Sequence, residues 1–148
     1  DNSAGTIAGN GALDLQAGSL VNRDGIVQTA GTADTRIDVA GFLDNAGGTL
    51  VTAGATTVRA GGLLNQRGTV QNASDGGLDV DVAGNLDNHD GGLIASVGKV
   101  DVRGGALDNR DGARIFSTEG RLGVDTRGRT ENAGGILQAT GDVSLANG

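Results

Sequence analysis

The chain has 148 residues, 29 of them Gly, with two aromatics (Phe42 and Phe116) and no Pro, Cys, Met, Trp or Tyr. Globular cores draw heavily on aromatics, so this core is expected to be narrow and filled by Leu, Val, Ile, Ala and Thr. The lack of cysteine excludes disulfide scaffolds, thiolate metal sites and thiol redox chemistry, and is compatible with export of an unfolded chain. A net charge of -7 argues against nucleic acid or anionic lipid as a partner. No apolar stretch approaches the roughly 20 residues of a membrane span, so the chain reads as soluble, with no membrane insertion.

A Leu-x-Asn tripeptide, or a degraded copy of it, recurs seven times, anchored by Asn2, Asn22, Asn45, Asn65, Asn88, Asn109 and Asn132 at spacings of 20, 23, 20, 23, 21 and 23 residues. A period near 20 along the whole chain signals stacked units, none of which buries its apolar face alone. Each unit opens on a short strand: Leu20-Val21-Asn22, Leu43-Asp44-Asn45, Leu63-Leu64-Asn65, Leu86-Asp87-Asn88, Leu107-Asp108-Asn109 and the degraded Thr130-Glu131-Asn132. Leu and Asn there share one face, because strands alternate faces with period two. A turn follows, ending on Gly25, Gly48, Gly68, Gly91, Gly112 and Gly135, where Gly is expected to supply a positive φ. A second strand then lines up Ile7, Val27, Leu50, Val70, Ile94, Ile115 and Leu137.

After a variable linker, the third strand alternates most clearly: Leu13 and Leu15, Ile37 and Val39, Thr56 and Val58, Val80 and Val82, Val100 and Val102, Leu122 and Val124, Val143 and Leu145. Between these pairs Asp14, Asp38, Thr57, Asp81, Asp101, Gly123 and Ser144 are expected to face water. This is the pattern of a half-buried strand and does not fit a helix.

Three short strands joined by Gly-rich bends make one coil of a parallel β-helix, an all-β solenoid of about seven coils with roughly 20-23 residues each. At the ordinary strand spacing of about 4.8 Å the rod is on the order of 34 Å long. The inward asparagines are expected to be structural, each amide bonding to those above and below or capping the adjacent turn, since a buried amide without partners costs roughly 1–3 kcal/mol. Residues 1–148 are expected to form a single repeat segment, an excerpt of a longer filament.

The stretches Gly-Gly-Leu-Leu-Asn-Gln-Arg-Gly-Thr-Val (61–70), Gly-Asn-Leu-Asp-Asn-His-Asp-Gly-Gly-Leu-Ile-Ala (84–95) and Gly-Gly-Ala-Leu-Asp-Asn-Arg-Asp-Gly (104–112) resemble the repeats of the filamentous haemagglutinin family. Unit six departs from the pattern at Arg114 and Phe116, and unit seven has Thr130 in place of Leu. The resemblance implies a right-handed β-helix forming the shaft of a secreted adhesin or toxin stalk on a Gram-negative cell surface. It further implies export through an outer-membrane two-partner secretion transporter, and a host-cell or target-bacterium receptor or glycan engaged by other parts of the parent protein.

Candidate sites are few, and no cofactor is expected. His89, the only histidine, lies in a turn with no second His or Cys, and reads as a solvated turn residue rather than a base or metal ligand. Stacking is expected to align Asp87, Asp108 and Glu131 in one outward column and to put Asp14 beside Asp38 in another, an arrangement that could recruit Ca²⁺. Residues 76–82 faintly resemble a calcium-binding β-roll repeat, but the second Gly-x-Asp is missing, and Arg36, Lys99, Arg103, Arg110 and Arg121 can balance the charge, so a salt-bridged surface is favoured. A polysaccharide-cleaving β-helix would want paired acids in a groove lined by aromatics, which are almost absent here. Asn72-Ala73-Ser74 fits a glycosylation sequon.

Overall fold

The computed structural model describes residues 1–148 and consists of parallel strands with no helix. One sheet has seven strands, Thr6–Gly9, Ile26–Thr29, Thr49–Thr52, Thr69–Asn72, Leu93–Ser96, Arg114–Ser117 and Ile136–Ala139, each paired with its equivalent one repeat along the chain. Seven levels are thus separated by about six turns of a solenoid, at about 22 residues per turn.

The expected three short strands merge into two sheets. The third strand of each coil and the Leu-x-Asn strand of the next both belong to an eleven-stranded sheet, and in Thr35–Asp44 and Thr56–Leu64 they run on as one strand. The bend between them is tight because of a second glycine column, unremarked in the sequence, with the same spacing as the asparagines: Gly18, Gly41, Gly61, Gly84, Gly105 and Gly128. A Cβ on any of the last five would sit 2.7–2.9 Å from a carbonyl oxygen of the coil before, closer than real Cβ atoms approach.

Aliphatic columns fill the space between the sheets. Val27, Leu50, Val70, Ile94 and Ile115 stack from the first sheet, and Leu20, Leu43, Leu63, Leu86 and Leu107 from the second, all nearly inaccessible to water. Each such side chain contributes roughly 1.5–3 kcal/mol relative to exposure. Ile37 and Val39 stack not on Leu13 and Leu15 but one pair further on, Ile37 on Leu15 and Val39 on Ala17; Val80 and Val82 likewise sit on Val58 and Ala60. An even shift keeps every side chain on its face, so the inside stays inside. Val143 and Leu145, expected in the core, pair with Leu122 and Val124 and are 46% and 60% exposed.

Positive φ is found as expected at Gly91 and Gly112, whereas Gly25, Gly48, Gly68 and Gly135 do not adopt it. The positive φ falls on the residue before the final Gly: Ala4, Asp24, Gly47, Arg67 and Gly134. In the turns of His89 and Arg110 one extra residue is accommodated, so Asp90 with Gly91, and Asp111 with Gly112, take positive φ, and Gly92 and Ala113 occupy the final position. The final glycine serves close approach: a Cβ on Gly25, Gly48, Gly68, Gly92 or Gly135 would fall inside contact distance of the main-chain oxygen of the asparagine one coil earlier.

Candidate functional site

Three features could carry function: the internal amide ladder, the outer face of the second sheet and the outer face of the first. In the ladder, the side-chain Nδ2 of Asn2, Asn22, Asn45, Asn65, Asn88 and Asn109 each donates to the Oδ1 of the next asparagine, at 2.6, 2.7, 2.8, 2.6, 2.8 and 2.7 Å. Asn45, Asn65, Asn88 and Asn109 have no solvent exposure. The second hydrogen on Nδ2 meets main-chain oxygens, as when Asn65 donates to Gly68 at 3.3 Å and to Leu93 at 3.1 Å. The backbone ladder continues through the same bend, with Asn45 N–H donating to Leu64 and Asn65 N–H to Asp87, both at 2.7 Å. All side-chain amides point one way along the axis, so the ladder has a donor end and an acceptor end.

Asp in Leu-Asp-Asn caps the turn, Asp44 and Asp108 each accepting the N–H two residues on, from Ala46 and Arg110, at 3.2 Å. The residue after one asparagine also reaches the residue before the next. Arg23 donates to Asp44 at 2.7 Å, Gln66 to Asp87 at 2.6 Å, and Arg110 pairs with Glu131 at 3.0 Å.

A second polar column, missed in the sequence, runs beside the aliphatic core through Thr29, Thr52, Asn72, Ser96 and Ser117, all buried. Asn72, the sequon residue, donates to Thr56 Oγ1 and the Gly77 carbonyl at 3.0 Å each, and accepts from the Ser74 N–H at 2.8 Å. Its amide is thus inaccessible to a glycosylating enzyme in the folded rod. Ser96 Oγ alone has no partner.

On the outer face of the second sheet, Asp14 lies beside Arg36, and Asp38 beside Gln16 and Arg59, so the expected Asp14–Asp38 contact does not form. One column reads Asp38, Arg59, Asp81, Arg103, Asp125, alternating in sign from strand to strand. Asp101, expected to face water, is 4% exposed because Lys99 and Arg121 cover it, at 2.9 and 2.8 Å; Lys99 also holds Asp79 at 2.8 Å. Burial would raise the Asp101 carboxyl, but the Lys99 hydrogen bond and the neighbouring cations outweigh it and hold the pKa below the ordinary value. The hydrogen bond that Lys99 donates to Asp79 in turn raises the Lys99 pKa.

Asp87, Asp108 and Glu131 do share a column. His89 Nδ1 hydrogen-bonds Asp87, its Nε2 lies 3.3 Å from Asp90, and ligand atoms of Asp87, His89 and Asp108 lie within 4.8 Å of one another. A His and two carboxylates could ligate a cation, yet Arg110 grips both Asp108 oxygens at 2.9 and 2.6 Å, and Gln66 takes the second Asp87 oxygen. The arrangement is better suited to an imidazolium held among carboxylates. The Asp87 hydrogen bond, opposed by partial burial and aided by the charges of Asp87, Asp90 and Asp108, raises the His89 pKa. Arg110, through its hydrogen bonds, lowers that of Asp108.

The outer face of the first sheet is different in kind. Its two columns read Thr6, Ile26, Thr49, Thr69, Leu93, Arg114, Ile136 and Ala8, Gln28, Val51, Gln71, Ala95, Phe116, Gln138. Arg114 is its only charged residue, and the guanidinium lies 4.9 Å from the centre of the Phe116 ring.

The haemagglutinin repeat model matches residues 1–47, 43–90, 73–124 and 113–148, which together span the chain. No curated protein and no solved structure shows significant similarity.

Proposed function

The chain belongs to the haemagglutinin repeat family, and on that premise we propose that it is a structural shaft segment of a filamentous exoprotein, holding a distal binding or toxin module away from the cell. Repeats of this family are typical of secreted or surface proteins. In this reading the segment is part of a longer filament on a Gram-negative surface, exported through an outer-membrane transporter. The observation that carries it is continuity: the amide ladder passes through every level, the aliphatic columns from Val27 to Ile115 and from Leu20 to Leu107 run beside it, and no insertion builds a separate lobe. Stability then accrues coil by coil, and length changes by whole repeats.

The carboxylates closest to one another are engaged by Gln66, His89, Arg110 and Arg129, which leaves little for glycoside hydrolysis. In the parent protein, replacing residues 1–148 by an equal length of unrelated β-solenoid is expected to preserve attachment or toxin delivery, whereas deleting them reduces reach. Loss of activity on equal-length replacement would show instead that this segment binds the receptor or glycan itself.

A further inference from the structure

We infer that the bend at Asn10-Gly11, between the strands Thr6–Gly9 and Leu13–Ala17, is a self-modifying site at which the Asn10 amide is hydrolysed through attack by the chain itself. An asparagine followed by glycine is open to this reaction because no Cβ shields the glycine nitrogen. The sequence holds six Asn-Gly or Asp-Gly pairs, ending on Gly11, Gly25, Gly76, Gly91, Gly112 and Gly148. In five of them the glycine N–H is held. Gly25 donates to the carbonyl of Asn22 at 3.1 Å, Gly91 to that of Asp111 at 3.0 Å, Gly112 to that of Gly134 at 3.1 Å and Gly148 to that of Thr126 at 2.9 Å. Gly76 donates to Ser74 Oγ at 3.3 Å. Gly11 N–H donates to no carbonyl, and Asn10 and Gly11 are both exposed.

The bend itself, and not its place in the first coil, frees these groups. One coil later Ala30 and Gly31 follow the Gly9–Thr29 pair at the same positions, with a coil on either side. Ala30 is exposed there, and the Gly31 N–H also lacks a carbonyl acceptor. The ladder asparagines are the opposite case: none precedes glycine, and each from Asn2 to Asn109 has its Nδ2 engaged.

The reaction needs only water and hydroxide. Gly11 N gives its proton to hydroxide, and its lone pair attacks Asn10 Cγ. As the new C–N bond closes a succinimide, the Cγ–Nδ2 bond breaks and ammonia leaves with a proton from solvent. Water then opens the ring at either carbonyl. Cleavage at Cγ leaves aspartate, whereas cleavage at the main-chain carbonyl leaves isoaspartate, with Gly11 joined through Cγ. Either product is ionised at neutral pH, so the rod gains one negative charge. The isoaspartyl form also lengthens the main chain beside Gly31, where a Cβ would already fall inside contact distance of the Asn10 oxygen, and so loosens the seat of the second coil on the first.

The 148-residue chain, kept in warm, mildly alkaline buffer and then analysed by peptide mapping and isoaspartate methyltransferase labelling, tests the inference. Asn10 is expected to convert ahead of every other asparagine, placing the label in the tryptic fragment 1–23, and faster as pH rises because the attacking nitrogen must lose its proton. Gly11→Ala puts a Cβ into open space; it should leave circular dichroism unchanged and slow the conversion about tenfold by shielding the nitrogen. In the isoaspartyl product the Ala30 N–H, which donates to Gly9 at 3.0 Å, exchanges faster than in the parent chain. An Asn10 that stays intact in the folded rod overturns the inference. So does conversion of Asn147 at the same rate, or a Gly11→Ala chain that converts as fast as the wild type.

Discussion

The inside of the asparagine turn and the outer face of the second sheet lie at the same levels of the same rod, yet they tolerate variation very differently. Inside, each level must present the same amide, because Nδ2 and Oδ1 meet at 2.6–2.8 Å only if identical side chains stack in register. Outside, the corresponding positions hold Asp, Arg, Thr, Gly and Ser, and the alternation of sign can be met by different residues reaching from different levels, as Lys99 and Arg121 both do toward Asp101. A repeat is conserved in residue type where geometry is fixed by backbone contact, and only in charge where a long side chain can adjust.

Substitutions at the turn should therefore have the largest effects. Gly68→Ala forces a Cβ into the main-chain oxygen of Asn45, which cannot retreat without breaking the ladder; a loss of about 3 kcal/mol in denaturant unfolding is expected. Asn65→Leu keeps the volume but leaves the Asn45 amide and the Asn88 oxygen each short of a partner, for a loss of about 2 kcal/mol. If Asn65→Leu proves as mild as a surface change, the distinction between inside and outside fails.

Outer-face changes should be smaller. Asp101→Asn loses its ion pairs with Lys99 and Arg121, both part-exposed, and costs about 1 kcal/mol. The Asp101 pKa is lowered by folding, so its contribution is present above the unfolded value of about 3.9 and is lost as pH falls through the lower folded value; the wild type and Asp101→Asn should converge in stability at acid pH. Arg67, at φ +55°, is a side chain in the left-handed region, and Arg67→Gly should raise stability by about 0.5 kcal/mol. The smallest effect is at His89: its raised pKa means a contribution complete below about 6.5 and lost as pH rises through the folded value, so an NMR titration should give a midpoint above 6.5 that Asp87→Asn brings down.

The solenoid was legible because Leu-x-Asn and the paired aliphatics recur at one period. Alignment within the third strand was not, since an even shift leaves the inward and outward faces unchanged, and Leu13 with Leu15 matches Ile37 with Val39 as well as it matches Thr35 with Ile37. That ambiguity placed Asp14 beside Asp38 where the strands put Arg36. The glycine column from Gly18 to Gly128 had a readable signal, the same intervals as the asparagines. The buried Thr29, Thr52, Asn72, Ser96 and Ser117 had none, because changing residue type hides a column from pattern matching. Burial of Asp101 depends on side chains arriving from two other strand ends, which period alone does not convey.

The central claim is that the asparagine side chains form a continuous chain of hydrogen bonds along the axis. Scalar couplings across hydrogen bonds, measured by NMR between each side-chain Nδ2 and the side-chain carbonyl carbon of the asparagine one repeat later, test it directly. The account predicts six couplings, joining Asn2 through Asn132 in sequence, with slow exchange of the four fully buried amides. Freely exchanging side-chain amides with no such couplings would contradict it.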